Sequence, residues 1–264
     1  MTGPVDIRAV DDWSQRIGIC SVTLRHLAPA EVVDTCRDAG LSRIEWGADV
    51  HAPPEDLALV TQVRELTEAA GLMVASYGSY WRAGASPMAE LTPVVTAARA
   101  LGAPRVRVWA GDLGTDAADG STWDAVAGAL TDACAVARDH DVGLALEFHR
   151  NTLTDSVDTT LELLDRVGDE TLRTYWQPRL DEAVEPGVDG LRRLGPFLAG
   201  VHVFSWWPGA TRLRLAERTD LWAAVTDLLV AEVAPCDLLL EFVPDDDPAF
   251  VAPDAAVLRG LLSR

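Results

Sequence analysis

Glu147, Gln177, His202 and Glu241 each close a short apolar run in the second half of this chain. The runs are Gly143 to Glu147, Thr174 to Gln177, Leu198 to His202 and Asp237 to Glu241. A glutamate that ends Leu-Ala-Leu or Leu-Leu-Leu must be paired or bind a metal, because an unpaired buried carboxylate costs several kcal/mol. Two carboxylates, an amide oxygen and an imidazole make a hard-to-borderline donor set. It suits a divalent metal, with Mn²⁺ expected first and Mg²⁺, Co²⁺ or Zn²⁺ as alternatives. Two glutamates neutralise such an ion, and a neutral Gln177 leaves the site near zero charge. For a single glutamate, an ion pair with a rim arginine such as Arg107 or Arg150 competes with this reading. Four ligand-type residues at four successive run ends favour the metal.

For the four groups to meet, their runs must be parallel strands that end at one rim. The chain alternates accordingly from Ile17 onward. Strands are expected at 17–22, 43–46, 72–77, 105–109, 143–147, 174–177, 200–204 and 238–242. Helical stretches fall near 29–39, 55–70, 88–101, 122–140, 156–167, 187–194, 221–233 and 254–262. Ser121 is the expected N-cap of the fourth helix, and Gly40, Gly71, Gly102 and Gly168 end four of the others. Eight such units predict an α/β fold, a single (β/α)8 TIM barrel over residues 17–264. Residues 1–16 are expected to be an extension or a cap on the barrel bottom. An open doubly wound sheet is the alternative, but no glycine-rich dinucleotide turn follows the first strand.

Composition narrows the function. The 264 residues match one barrel, and 48% apolar content supports a large core. No apolar run reaches the ~20 residues of a membrane span, and the polar start carries no signal-peptide pattern. Cys20, Cys36, Cys134 and Cys236 are scattered, as expected of reduced thiols in the cytoplasm. A net charge of −19 without a basic stripe argues against nucleic acid. The chain has no lysine, which excludes Schiff-base aldolases, pyridoxal phosphate enzymes and P-loop phosphate binding.

Several segments together carry a resemblance: Ile44 to Gly47, Val106 to Gly111, Leu146 to His149, Tyr175 to Pro178, Val201 to Phe204 and Leu240 to Phe242. With these the chain resembles the xylose-isomerase-like barrel family, often called sugar phosphate isomerase/epimerase. Its members include ketose 3-epimerases, hydroxypyruvate isomerases and inosose dehydratases. The family's usual ligands are Glu, Asp, His and Glu at strands five to eight. Glu147, His202 and Glu241 match, and Gln177 stands where most members have Asp. The resemblance implies a divalent-metal-dependent isomerase or epimerase working through a metal-stabilised enediolate, with Glu147 and Glu241 as the acid/base pair that inverts a carbon. Look-alikes are commonly dimers or tetramers, so a homo-oligomer is compatible with this reading.

Substrate contacts are expected from Glu45, His51, Tyr77, Tyr80, Arg82, Trp109, His149, Trp206 and Arg212, all at or beside the predicted strand ends. Pro244 to Asp247 follows the eighth strand, where phosphate-holding barrels usually place glycine-rich backbone. That acidic turn predicts an unphosphorylated keto-sugar, cyclitol or keto-glycoside as the small-molecule substrate. A lyase or dehydratase acting on an inosose, a dehydroshikimate or a 3-keto-glycoside would begin with the same proton abstraction. A non-catalytic sugar-binding barrel is a further alternative. A damage-specific endonuclease, which the same barrel supports, would need more histidine and aspartate ligands and basic loops.

Overall fold

Alternation along short strands decides which side chains a barrel encloses. The computed structural model describes residues 13–264. Most of the expected extension at 1–16 therefore lies outside the described residues; Trp13–Arg16 form a 3₁₀ turn. The strands are β1 (Ile17–Cys20), β2 (Arg43–Gly47), β3 (Met73–Arg82), β4 (Arg105–Trp109), β5 (Gly143–Leu146), β6 (Leu172–Trp176), β7 (Leu198–Val203), β8 (Ser205–Trp206), β9 (Arg212–Leu213) and β10 (Asp237–Leu240). All but β8 and β9 pair in parallel as one closed barrel, ordered β1-β2-β3-β4-β5-β6-β7-β10. The fold is thus the (β/α)8 barrel, and the open-sheet alternative is excluded.

Eight α-helices follow the barrel strands: α1 (Pro29–Asp38), α2 (Leu57–Ala69), α3 (Leu91–Leu101), α4 (Gly120–Asp139), α5 (Val157–Val167), α6 (Val184–Leu194), α7 (Thr219–Glu232) and α8 (Val251–Leu262). The N-cap of α4 is Asp119 rather than Ser121; its carboxylate accepts from Thr122 N at 2.9 Å. Ser121 instead donates to Asp119. No described helix is long and apolar enough to cross a membrane. The hairpin β8–β9, which pairs Trp206 with Arg212, has no apolar periodicity of its own and was not expected.

Outward side chains such as Val106, Val108, Leu144, Leu146, Val201 and Leu240 join the large core beneath the helices. Inward ones form a second, small cluster that includes Cys20, Ala145, Tyr175 and Leu239. Polar groups close that inner cluster at both ends. At the strand starts, Asp237 meets Arg43 at 3.2 Å, Arg105 at 3.0 Å and Arg16 at 3.6 Å. At the strand ends lie the sequence-predicted donors. The barrel therefore lacks the stacked Val, Ile and Leu layers that fill most barrels of this kind.

Candidate metal centre

The strand ladder carries the two glutamates to the rim. Glu147 N donates to Val108 O at 2.9 Å and Glu241 N donates to Val203 O at 3.0 Å. Each bond extends the sheet by one residue beyond β5 or β10. Period-2 alternation then turns Glu147 inward above Ala145 and Glu241 inward above Leu239. Leu239 is level with His202 across the β7–β10 pair.

His202 is completely buried, and its two ring nitrogens face different neighbours. Nδ1 lies 3.0 Å from Gln177 Oε1, 3.6 Å from Glu241 Oε2 and 4.0 Å from Glu147 Oε1. Donors that share one ion at ~2.1 Å lie roughly 3.0 to 4.2 Å from one another, depending on whether they are adjacent or opposite. The three distances from Nδ1 fall within that span, but Glu147, His202 and Glu241 do not form a group whose donor atoms all lie within 4.8 Å of one another. On the other side, Nε2 has no hydrogen-bond partner and faces Glu45 Oε2 at 3.8 Å.

Charge supports the same set. Arg107 Nε donates to Glu45 Oε1 at 3.0 Å, and its Nη1 is pressed against Glu147 Oε2 as an ion pair. The arginine pairing weighed for Glu147 is thus realised, but Glu241 has no arginine partner. Three carboxylates against one guanidinium leave two negative charges, which match one divalent cation. Burial raises the Glu45 carboxyl, but Arg107, then His202 and Ser76, overcome it and hold the group below the usual carboxylate range. Burial pushes Glu241 upward, and His202 and Arg107 only partly offset it.

A second group shares His202: Cys20, Glu45 and His202 offer donor atoms within 4.8 Å of one another. Its Glu45 is already engaged by Arg107 and Ser76. Burial holds the Cys20 thiol well above its ordinary value.

Above the donors is a cavity of about 200 Å³. Of the expected contact residues, Tyr80, Trp109, His149 and Trp206 line it. Glu45 lies just below, accepting from Ser76 Oγ at 2.6 Å. Arg82 stands behind Trp109, with its guanidinium 4.2 Å from the ring and Nη1 donating to Gly111 O. Arg212 pairs with Asp246 and lies over Trp206 and Phe242, bracing the β8–β9 hairpin.

Glu45, Arg82 and Arg212 thus stand next to the cavity without lining it, and His51 and Tyr77 point elsewhere. His51 is buried in its loop, bonded to Ser21 Oγ at 2.9 Å and Leu27 O at 3.1 Å, and packs edge-on against Trp46. Tyr77 belongs to the outer core, where its hydroxyl donates to Ala52 O. Its displacement has a local cause. β3 carries an extra residue opposite the Ile44/Glu45 step, and this bulge turns Tyr77 away from the interior.

Arg25 and Phe242 line the cavity without having been singled out. Arg25 Nε donates to Asp49 at 2.6 Å and Nη2 to Tyr80 OH at 2.5 Å, tying the segments after β1 and β2 to the end of β3. No periodic pattern marks Arg25. Phe242, directly after Glu241, has φ +51° and turns toward Phe204 and Trp206.

The chain belongs to the xylose isomerase-like TIM barrel family, whose model matches residues 33–178. No curated protein matches the chain significantly in sequence. Solved structures that share its fold include the probable 3-DHS dehydratase AsbF from Bacillus anthracis, at 16% identity and TM-score 0.73, covering 92% of this chain and 98% of that one. An L-ribulose 3-epimerase is similar at 20% identity and TM-score 0.73, with 94% of each chain covered. A xylose isomerase-like barrel protein from Mycobacterium smegmatis, solved in complex with magnesium, matches at 13% identity and TM-score 0.69, covering 94% and 97%.

Proposed function

We propose that this protein is a divalent-metal-dependent isomerase or epimerase of an unphosphorylated keto-sugar or related polyol. The observation that carries the reading is the set of three oxygens around His202 Nδ1, all at one rim of the barrel. Glu147, Gln177, His202 and Glu241 are the residues that would hold the ion, with manganese the first choice. A bound cation would supply Lewis-acid polarisation of a substrate carbonyl and its neighbouring hydroxyl.

The protein's own groups do the rest. Glu147 and Glu241 end the outermost two of four adjacent staves, β5 and β10, with Gln177 and His202 between them. They therefore flank a ligand from two sides. Of this pair, one would remove a proton from the ligand on its side and the other would return one on the opposite side. Trp109, Trp206 and Phe204 wall the cavity, where they stack on a sugar face and exclude water. The four cysteines are free and buried, which supports a reducing compartment such as the cytoplasm.

The test is exchange of substrate C–H with solvent deuterium across a panel of keto-sugars in saturating Mn²⁺. Glu241→Gln is expected to abolish exchange while its circular dichroism stays native. Undiminished exchange removes the assignment. Product NMR then separates an inverted stereocentre from the loss of a β-substituent.

A further inference from the structure

His202 has two ring nitrogens, and the donors at the mouth use one of them. Nδ1 looks toward the ends of β5, β6 and β10, where Glu147, Gln177 and Glu241 stand. Nε2 looks the other way, toward β2 and its neighbour β1. That atom is buried and has no hydrogen-bond partner among the described residues. An imidazole nitrogen shut away from water without a partner is unfavourable, and a ligand there relieves it. Tyr175 lies against the ring, 4.6 Å between centroids at 31°, and holds both nitrogens in their directions.

Two further donors stand before Nε2. Cys20 ends β1 and is level with Glu45 across the β1–β2 pair. Cys20, Glu45 and His202 are all 0–1% exposed, and their donor atoms lie within 4.8 Å of one another. Glu45 Oε2 is 3.8 Å from Nε2. Ligands of one tetrahedral ion at 2.0–2.3 Å are roughly 3.3–3.8 Å apart, so a contraction of at most about 1 Å brings the widest pair to that spacing. The bonds of Glu45 to Arg107 and Ser76 do not close it. A carboxylate offers about four lone-pair sites, and these bonds take one on each oxygen. Burial keeps the free thiol protonated, but a coordinating cation removes that proton outright. The thiolate and Glu45 together then neutralise a divalent ion, and Arg107 keeps Glu147 as a partner.

We propose that Cys20 Sγ, Glu45 Oε2 and His202 Nε2 form a second cation site, separate from the mouth, that takes a thiophilic divalent ion of the zinc class. Its sulfur, nitrogen and oxygen donors are softer than the oxygen-rich set around Nδ1. The two sides of one imidazole therefore sort ions, with zinc, cobalt or cadmium toward β1 and manganese or magnesium toward the mouth. The site stands on Cys20, which takes no part in the proposed reaction, and holds whether or not the mouth turns over a sugar.

Cobalt(II) reports the site, because thiolate ligation gives an intense near-ultraviolet charge-transfer band that oxygen and nitrogen ligands alone do not. Chelator-treated, reduced protein is expected to develop that band on titration, saturating at one equivalent. Zinc displaces the cobalt, and magnesium at the same concentration does not. Cys20→Ser abolishes the band, whereas Gln177→Ala, on the other side of the ring, keeps it. X-ray absorption of the zinc-loaded wild type checks the same point without a variant: one sulfur at ~2.3 Å is expected. No band, a band that survives in Cys20→Ser or is lost in Gln177→Ala, or a zinc shell of nitrogen and oxygen alone overturns the inference. Manganese binding, followed separately by electron paramagnetic resonance, judges the mouth. Its absence beside an intact cobalt band removes the proposed function and leaves the second site standing.

Discussion

Arg107 and Glu45 form a nearly dry ion pair inside the barrel, 3% and 1% exposed, with Nε 3.0 Å from Oε1. Gly78 makes room for it: a Cβ there would meet Glu45 Oε1 at 2.8 Å and Arg107 Nη2 at 2.9 Å. The same guanidinium touches Glu147, so one cation serves two carboxylates.

Arg107→Met should therefore leave two buried carboxylates without a counter-ion. The expected loss is about 3–5 kcal/mol of stability. Arg107→Lys should recover only part of it, because an ammonium cannot bridge two carboxylates as a planar fork does. Urea unfolding followed by circular dichroism measures both, and an Arg107→Met protein as stable as the wild type would refute the shared-cation account.

Glu45 and Glu241 should shape the pH profile in opposite senses. The folded pKa of Glu45 lies below the ordinary ~4.3, so its stabilisation is complete above that value and fades as pH falls toward the folded pKa. The folded pKa of Glu241 is raised, so its contribution is present below ~4.3 and is lost as pH rises through the folded value. Metal-free Glu241→Gln is thus expected to be more stable than wild type at neutral pH, by about 2–4 °C in Tm per kcal/mol recovered. Added Mn²⁺ should reverse the order. Thermal scans with chelator and with Mn²⁺ decide, and a lower Tm for the metal-free variant contradicts the expectation.

The placement of Glu147, Gln177, His202 and Glu241 at one rim was readable because each ends an apolar run and parallel strands end together. The same logic failed for Tyr77, since a one-residue bulge in β3 flips alternation without leaving a mark in hydropathy. His51 was misassigned for a different reason: a loop has no period, and its role depends on Ser21 and Leu27, which lie about one helix and one strand earlier. Arg107 was visible as a charge alternating with valines and as a possible partner of Glu147, but its pairing with Glu45 was not.

Gln177→Asp would replace a neutral oxygen donor with a charged one at the position facing His202 Nδ1. Mn²⁺ affinity should rise on the order of tenfold, since ligand charge tunes affinity at oxygen sites. Without metal the extra carboxylate should lower Tm, because it faces Glu147 and Glu241 across the same small space. Calorimetric titration with Mn²⁺ gives the first quantity. An unchanged dissociation constant would remove Gln177 from the ligand set.

Asp237 offers the control at the other end of the same stave. It starts β10, which Glu241 follows, so the two lie roughly 13 Å apart at ~3.3 Å per residue. Its carboxylate is 1% exposed and faces Arg16, Arg43 and Arg105. Asp237→Asn leaves three cations around a neutral amide and should cost about 3–5 kcal/mol. The loss should appear in urea unfolding, while Mn²⁺ affinity of the folded protein stays at the wild-type value. A large fall in Mn²⁺ affinity would mean that the two ends of the barrel are coupled, against the separation that the small inner cluster of Ala145, Tyr175 and Leu239 implies.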